Sequence, residues 1–408
     1  MWKFFIVWTN WRTLAAAIWR FSVAVSDWRT ILRMIMRRPI IDVVFISNMR
    51  GEVDRKLFLG KFHPFQGHFN GPRYWINGIV GRTRALDLTS DDLSTEVGLK
   101  KARKFFISAV EWAEIKGAKV ILLAADTKRI FEGSEIDLRK RFSQLIFSMG
   151  DNGTSDLLIE ETFDSLRRSG LRPGSCRIAI LGPYGFLGRM MVRSLKEKGY
   201  DLIGVGSNKI LEEFGKEEKI QVTRSLKKTG SVDAVVACTH SKRVRLNSEN
   251  IDLIRREGKK LLAMDVAKPS NMNKHEYRKC AERVIRRDVG NAYSPDLKYV
   301  LGVISYSLFR LSRGETFGCF AEALSIFSSL KRGEKVREID WFHVSEANME
   351  IVKMMFQKDN FTAPSPRCFG KPILSFDLKM ETEETEEVPF RSHSQWKMAF
   401  NKVLGFFL

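Results

Sequence analysis

The chain has 408 residues, of which 44% are hydrophobic and 28% are charged. This length predicts two or three domains, and the composition is typical of folded soluble proteins rather than disordered or membrane-spanning ones. Lys and Arg outnumber Asp and Glu by 68 to 48, and the resulting formal charge of +20 favours acidic partners such as anionic lipid or an acidic carrier protein. No nucleic-acid partner is expected, because the sequence has no zinc finger, basic zipper or aromatic-basic RNA-binding motif.

Residues 1–38 form a basic aromatic segment, in which Trp2, Trp8, Trp11, Trp19 and Trp28 are interleaved with Lys and Arg. Basic residues at positions 3 and 12 interrupt the continuous apolar core that a secretory signal needs. No apolar run reaches the ~18 uncharged residues of a transmembrane helix. The pattern is typical of an amphipathic helix that lies on anionic lipid, and the alternative is a helix that packs on its own domain.

An α/β domain is predicted for residues 39–153. Its elements are an apolar strand at 40–47, a helix at 97–116 that Gly117 ends, and a buried strand at 120–124. Nothing in this domain points to chemistry by itself, so we expect it to hold substrate. Residues 151–153 read Asp-Asn-Gly and predict a turn, after which Thr154 or Ser155 caps the next helix.

A glycine-rich loop marks the second domain, predicted for residues 154–301. The apolar strand 177–181 leads into Gly182, Gly185 and Gly188, and an amphipathic helix follows. In a dinucleotide-binding loop the first glycine permits a tight turn, the second lets the backbone approach the pyrophosphate, and the third permits close helix packing. Further apolar strands at 202–205, 220–222, 234–237, 261–265 and 283–285 complete a doubly wound Rossmann sheet.

The cofactor is predicted to be NADPH. An NAD enzyme usually has Asp or Glu at the end of the second strand, whereas this chain has Gly206-Ser207-Asn208-Lys209 there. Hydroxyl, amide and cationic side chains suit a 2′-phosphate better than a bare ribose hydroxyl. The predicted cofactor-binding residues are Gly182, Tyr184, Gly185, Phe186, Leu187, Gly188, Ser207, Asn208, Lys209, Thr239 and Val266.

The C-terminal part is predicted to be helical over residues 302–360, with helices near 315–330 and 338–355. The tail 361–408 contains an acidic run and ends with Trp396, Phe400, Val403 and Phe407 at helical spacing among basic residues. This spacing predicts a second basic amphipathic helix. It would lie on a membrane beside the first one, or the two would pack together.

The five cysteines are scattered and show no CxxC spacing. A disulfide framework and a structural zinc site are therefore not expected, and a reducing cytosolic compartment is favoured. Cys319 shares one helical face with Ala323, Ile326 and Leu330, a pattern that by itself indicates a buried core thiol. The chemical alternative is a thiolate near a helix N-terminus, where its pKa would fall.

Residues 315–324, Glu-Thr-Phe-Gly-Cys-Phe-Ala-Glu-Ala-Leu, together with the glycine loop upstream, resemble the long-chain acyl-[acyl carrier protein] reductases. The resemblance extends over roughly residues 154–356 and includes the stretch 265–271, Asp-Val-Ala-Lys-Pro-Ser-Asn. One departure is the glycine loop, where the family usually has Ala-Thr-Gly-Asp and this chain has Pro-Tyr-Gly-Phe at 183–186. The resemblance implies an NADPH-dependent enzyme that forms fatty aldehydes, with Cys319 as the nucleophile.

The mechanism that the resemblance implies has two stages. Cys319 takes the acyl group from acyl carrier protein or acyl-CoA as a thioester, and hydride from NADPH then releases the aldehyde. His240 and Lys268 follow the fourth and fifth strands, where ligands bind in such sheets, and are candidate polar helpers. His240 would protonate or orient the intermediate, or is a solvent-facing loop histidine. Lys268 would help catalysis, contact a phosphate, or is a surface charge.

Two other functions remain open from the sequence alone. One is a related reductase that acts on a different acyl donor, such as an aminoacyl or polyketide thioester. The other is a membrane-associated NADPH-binding protein without turnover. The expected location is cytoplasmic, with peripheral attachment to the membrane through the amphipathic ends.

Overall fold

The computed structural model describes residues 28–49, 67–131, 137–300 and 311–380, together with Ile18, Gly51, Glu52 and Arg55. The predicted terminal helix from Trp396 onward and most of the segment 1–38 lie outside the described residues. Among the described helices, none is long and apolar enough to cross a membrane.

The described strands, in chain order, are β1 (Val43–Met49), β2 (His68–Ile76), β3 (Ile79–Thr89), β4 (Val120–Leu123), β5 (Ile146–Ser148), β6 (Arg177–Leu181), β7 (Asp201–Val205), β8 (Gln221–Thr223), β9 (Ala234–Ala237), β10 (Leu261–Asp265), β11 (Val284–Asp288), β12 (Asn291–Tyr293), β13 (Lys298–Tyr299), β14 (Glu315–Phe317), β15 (Arg367–Cys368) and β16 (Lys371–Pro372). The described helices are α1 (Trp28–Ile35), α2 (Glu96–Ile115), α3 (Leu138–Arg141), α4 (Asp151–Arg168), α5 (Phe186–Glu197), α6 (Leu211–Glu218), α7 (Ser248–Ile254), α8 (Lys274–Cys280), α9 (Gly318–Lys331) and α10 (Glu346–Lys358). The mixture confirms the predicted α/β class.

The first sheet has the strand order β13-β2-β3-β1-β4-β5, in which β3, β1, β4 and β5 run parallel. Side chains of a strand alternate between its two faces, and both faces of this sheet are covered. Ile121 of β4 lies in one core together with Phe106 of α2. The next residue of β4, Leu122, lies in the other core together with Phe320 of α9. Helix α9 therefore packs on the first sheet, far from it in sequence.

The second sheet has the order β16-β15-β11-β10-β9-β6-β7-β8. Strands β6 to β11 are parallel and lie in the spatial order 3-2-1-4-5-6, which is the doubly wound arrangement of dinucleotide-binding domains. Buried cores lie on both faces of the sheet. The predicted Rossmann domain is confirmed, and strands β15 and β16 extend its edge in an antiparallel direction that the sequence did not suggest.

Helix α4 joins the two halves of the molecule. Its neighbouring residues Leu157 and Leu158 point into different cores, the first shared with α9 and the second with the Rossmann sheet. The predicted turn at 151–153 was wrong, because α4 already begins at Asp151. Gly150, with φ +70°, is the residue directly before α4. Gly153 lies so close to α9 that a Cβ atom there would be 3.0 Å from the Gly318 carbonyl oxygen. The glycine at 153 serves helix packing and not a turn.

Three other predictions needed correction. Residues 315–317, expected to be helical, form β14, which pairs with β12, so that α9 begins at Gly318. Helix α10 begins at Glu346 and not near 338, since Ser345 caps it by accepting a hydrogen bond from the Asn348 N–H. The β2–β3 hairpin was missed, although Asn77-Gly78 at its tip, with φ +47° and +78°, is a strong hairpin signal.

Candidate active site

The glycine loop after β6 has the geometry expected of a dinucleotide cradle. Gly182 has φ +76°, and a Cβ atom there would lie 2.7 Å from the Cβ of Thr239. A Cβ on Gly188 would overlap the Gly182 carbonyl and lie 2.8 Å from the Cα of Pro183. A Cβ on Gly185 would meet nothing closer than 3.7 Å. Gly182 and Gly188 thus lack room for a side chain because neighbouring residues of the protein lie against them, whereas Gly185 faces open space among the described residues.

Helix α5 begins directly after this loop, with Gly185 as its N-cap and no side-chain cap. Such an N-terminus offers unpaired backbone N–H groups and the positive end of the helix dipole to an anion. Phe186 in the first turn is exposed and Leu187 is half-buried. The geometry suits a pyrophosphate bound across Gly185.

The end of β7 is the expected position of the adenosine ribose. The ring of Tyr184 covers this place, since a Cβ on Gly206 would lie 2.5 Å from the Tyr184 Cε1 atom. Ser207 is half-buried and Lys209 is exposed, on a loop without a carboxylate. The Gly206 N–H donates a hydrogen bond to the carbonyl of Thr223, at the end of the adjacent strand β8. Arg224 follows Thr223 in the chain and therefore lies beside the same loop. The sequence analysis missed Arg224, whose guanidinium forms two 2.7 Å hydrogen bonds with Glu212.

A cleft of about 520 Å³ runs between the carboxyl ends of strands from both sheets. On the first-sheet side its wall includes Met49 and Ala124, and on the Rossmann side it includes Val266 and Lys268. Cys319 and Phe320 line it as well. Part of the remaining wall comes from the segment 364–370, which leads into and out of β15. Ligands of open parallel sheets bind outside the carboxyl ends of the strands, so this cleft is the candidate active site.

Cys319 lies at the second position of α9 and is partly buried. It reaches the cleft from the first-sheet side, while Val266 and Lys268 reach it from the loop after β10. The Lys268 Nζ atom lies 5.7 Å from the centroid of the Phe317 ring, two residues before the cysteine. The structure thus places in one cleft the predicted nucleophile Cys319, the candidate polar helper Lys268 and the predicted cofactor-binding residue Val266. Cys319 packs against the first-sheet core but is not fully buried.

His240 lies elsewhere. It follows β9 and is half-buried, but it is not part of the cleft wall. Its neighbour Thr239 packs behind Gly182 and accepts a hydrogen bond from the Ser241 N–H. The position of His240 after the fourth Rossmann strand therefore does not place it in the cleft that Cys319 lines.

A buried polar cluster that sequence reasoning did not assemble surrounds Cys319. Lys128, in the 3-10 helix Ala125–Phe131 after β4, forms an ion pair with Asp151 at the start of α4. Glu322, one turn after the cysteine, accepts hydrogen bonds from the Ser148 hydroxyl at 2.6 Å and from the Gly153 N–H at 2.7 Å. The signal that could have found Lys128 and Asp151 is their place directly after two parallel strands.

The electrostatics of this cluster contradict one expectation. Burial raises the pKa of the Cys319 thiol from 9.0 to about 12, although the cysteine sits at a helix N-terminus where we expected a lowered value. The Lys128 charge opposes this rise, whereas Asp151 and Glu322 add to it. Burial also raises the pKa of the Glu322 carboxyl to about 7. Loss of hydration outweighs the helix dipole, which acts with only about half a unit charge.

No protein-family model matches this chain, and no curated protein matches its sequence. Solved structures that match part of this chain include L-tryptophan dehydrogenase from Nostoc punctiforme, with 13% identity, a TM-score of 0.32 and coverage of 78% of this chain and 89% of that one. A dipicolinate synthase chain from Bacillus halodurans also has 13% identity, with a TM-score of 0.30 and coverage of 60% and 88%.

A phosphoglycerate oxidoreductase from Rhizobium etli is 11% identical, with a TM-score of 0.30. Its match covers 41% of this chain and 61% of that chain, so it spans less than two thirds of that protein. At these identities and TM-scores the likeness does not extend to substrate or activity. The doubly wound fold is established by the strand order of this chain itself.

Proposed function

We propose that this protein is an NAD(P)-dependent oxidoreductase, and more specifically an NADPH-dependent reductase that converts long-chain acyl thioesters to fatty aldehydes through an acyl-enzyme on Cys319. One observation carries the proposal: Cys319 lines the same cleft as Val266 and Lys268, which follow a strand of the Rossmann sheet. In doubly wound sheets the reactive end of a dinucleotide reaches such loops from the glycine-rich turn. A nucleophile and a hydride donor would therefore meet in this cleft.

The residues of the Rossmann half fit a dinucleotide. Gly182 and Gly188 leave room only for backbone, and Gly185 faces open space at an uncapped helix N-terminus. These residues would hold the pyrophosphate, Tyr184 would lie against the adenosine ribose, and Ser207 to Lys209 would meet a 2′-phosphate. The absence of a carboxylate from residues 206–209 supports NADPH over NADH.

The chain's own residues would divide the work as follows. Bound NADPH supplies a hydride to the acyl carbon. Cys319 attacks the acyl thioester, and the N–H groups in the first turn of α9 stabilise the oxyanion that forms. The apolar neighbours Phe317 and Phe320 exclude water from the enzyme thioester, which favours reduction over hydrolysis. Lys268, exposed at the cleft wall, would orient the cofactor or the donor phosphate.

The cleft wall supports a fatty acyl substrate with an anionic donor. Met49, Phe69 and Ala85 form a small apolar cluster on the first-sheet side that suits an alkyl chain. Arg245 and Lys274 line the Rossmann side together with Lys268 and suit the phosphates of acyl-CoA or of an acyl carrier protein. Aldehyde products are poorly soluble, and peripheral attachment of a cytoplasmic protein to an anionic membrane would let the product leave into lipid.

The decisive experiment is acyl trapping. The full-length protein is incubated with palmitoyl-CoA or palmitoyl-acyl carrier protein without NADPH, and the acyl mass is located by peptide mass spectrometry. We expect it on Cys319, and we expect aldehyde to be released when NADPH is added. Cys319→Ser should abolish both, whereas Cys280→Ser, at a buried cysteine of the Rossmann half, should not. A label on any other residue, or none, would refute the acyl-enzyme and favour a protein that binds NADPH without turnover.

The donor class needs its own comparison. Acyl carrier protein, CoA, aminoacyl and polyketide thioesters are offered at equal concentration, and the initial rate of aldehyde formation is measured for each. We expect long-chain acyl donors to be preferred. A preference for an aminoacyl or polyketide donor would support the related reductase instead.

A further inference from the structure

The ion pair beside the candidate nucleophile has no role in the mechanism proposed above. Lys128 is the fourth residue of the 3-10 helix Ala125–Phe131, three residues after Ala125, which lines the cleft together with Ala124. Its side chain is 22% exposed, and that of Asp151 is 6% exposed. A mostly buried ion pair loses hydration on both partners, so stability alone is a weak reason for one here.

The backbone links this pair to the cysteine. Asp151 follows Gly150, and a Cβ atom on Gly150 would overlap the Cβ of Cys319 and lie 2.7 Å from its Cα. The hydrogen bonds from Ser148 and Gly153 to Glu322 fasten the same loop to the first turn of α9. The start of α4 and the start of α9 are therefore fastened together. The Asp151 carboxylate, at the start of α4, holds the Lys128 ammonium group beside this junction.

The charges that face the thiol come from three elements. Lys128 of the 3-10 helix favours the thiolate, and Asp151 of α4 and Glu322 of α9 disfavour it. From β2 the buried hydroxyl of Tyr74, which makes no hydrogen bond to the part of the chain that the structure describes, also faces this region. Because burial disfavours an anionic sulfur, a nearby cation is needed before the cysteine can react near neutral pH. Among the groups that act on Cys319 here, Lys128 is the one with a positive charge.

We propose that Lys128, held in place by Asp151, is the positioning residue that activates Cys319 by stabilising its thiolate. This inference rests on the proposed function only for its purpose, since the reactivity of the thiol can be measured without any substrate. Neither Lys128 nor Asp151 was among the site residues predicted from the sequence.

The thiolate would be needed twice in one turnover. In the first step the ionised sulfur forms a bond to the acyl carbon, the bond from that carbon to the donor sulfur breaks, and the donor thiolate takes one proton from solvent. In the second step bound NADPH would supply a hydride to the acyl carbon and would be oxidised to NADP⁺, and the resulting alkoxide would collapse to aldehyde as the bond from carbon to the Cys319 sulfur breaks and the thiolate leaves. Lys128 would stabilise the anionic sulfur both as nucleophile and as leaving group.

The test is alkylation of Cys319 by iodoacetamide in the full-length protein, followed by peptide mass spectrometry between pH 6 and pH 11 without cofactor or substrate. We expect Lys128→Met to slow alkylation at pH 8 about tenfold, which is the change that a rise of about one unit in the pKa of the thiol produces at any pH well below that pKa. Lys128→Arg should restore most of the reactivity. Arg129→Met removes the adjacent exposed cation and is the matched control, expected to behave as wild type.

Asp151→Asn separates electrostatics from structure. Asn keeps an oxygen that can accept a hydrogen bond from the Lys128 ammonium group but carries no negative charge, so Asp151→Asn should speed alkylation, opposite in sign to Lys128→Met. Damage to packing would move both variants in the same direction. Equal profiles for wild type and Lys128→Met, or shifts of the same sign in both variants, would overturn the inference. If Lys128→Met fails to fold, the sign of the shift in Asp151→Asn decides.

The proposed function can fail separately. A normal alkylation profile with no acyl label on Cys319 would remove the acyl-enzyme and leave the activated cysteine. An acyl label on Cys319 together with unchanged thiol reactivity in Lys128→Met would keep the acyl-enzyme and remove the proposed role of Lys128.

Discussion

The Ser148 hydroxyl donates a hydrogen bond of 2.6 Å to the Glu322 carboxyl, and this contact joins the end of β5 to the helix that carries Cys319. Both side chains are fully buried. The second carboxyl oxygen accepts from the Gly153 N–H, so Glu322 holds the two walls of the polar cluster together. Because burial disfavours its charged form, the protonation state of Glu322 couples the stability of this region to pH.

We expect the stability of the first-sheet half to fall as pH rises from about 4.5 to about 7. The pKa of Glu322 is raised to about 7 in the folded protein, so between its unfolded value of 4.5 and this value the folded state binds more protons. The contribution is fully present below 4.5 and lost above 7, and it amounts to about 3 kcal/mol. Glu322→Gln should remove this part of the slope, and the part that comes from other carboxyls with a raised pKa, such as Glu161, should remain. Urea unfolding followed by the fluorescence of the buried Trp341 measures it.

The matched control for this experiment is Glu338→Gln, at an exposed carboxyl on the same side of the molecule. It should retain the wild-type slope. A Glu322→Gln variant with the same pH dependence as wild type would contradict the raised pKa.

The glycine loop allows a test that separates cofactor binding from folding. Gly185→Ala adds a methyl group that meets only open space in the protein, so the variant should fold normally. The methyl would occupy the place where the pyrophosphate approaches, and NADPH affinity should fall about tenfold or more, as measured by nucleotide fluorescence titration. Gly188→Ala overlaps the Gly182 carbonyl and should instead lower the melting temperature. Normal NADPH binding by Gly185→Ala would argue against the predicted pyrophosphate position.

Cofactor preference depends on the loop after β7. Lys209→Glu places a carboxylate where the 2′-phosphate is expected, and we predict a loss of NADPH affinity of at least about tenfold with little change for NADH. Lys216→Glu reverses the same charge on an exposed position of α6 and is the control. Titration of each variant with NADPH and with NADH gives the ratio of the two affinities. An unchanged ratio in Lys209→Glu would mean that another group, such as Arg224, recognises the phosphate.

Helix α1 exposes an apolar surface, on which the proposed attachment to lipid can be tested. Ile31 is 49% exposed and Ile35 is 74% exposed, while Arg33 hydrogen-bonds to the body of the protein through the Gly78 carbonyl. We expect Ile35→Asp to weaken binding to vesicles of phosphatidylserine and phosphatidylcholine about tenfold in a sedimentation assay. Val97→Asp, at an equally exposed residue at the start of α2, adds the same charge elsewhere and should bind as wild type. Equal binding by both variants would show that α1 does not touch the membrane.

Local sequence patterns predicted the elements that depend on nearby residues. The glycine spacing and the apolar strands of residues 177–288 predicted the Rossmann sheet, because its central strands β6, β9 and β10 are buried on both faces and read as short apolar runs. Strands β9 and β10 agree with the prediction at every residue. The Asn-Gly turn at 77–78 was equally local, and the hairpin was missed only because that signal was not used.

The sequence by itself determined the dinucleotide fold and drew attention to Cys319, since both depend on short motifs whose meaning is carried by their own spacing. Only the tertiary structure decided what surrounds the thiol. Lys128, Asp151 and Glu322 are far apart in the chain and meet because α9 packs on the first sheet beside the ends of β4 and β5. It also decided the sign of the cysteine's pKa shift, because burial is set by contacts between distant segments and here exceeds the local effect of the helix dipole.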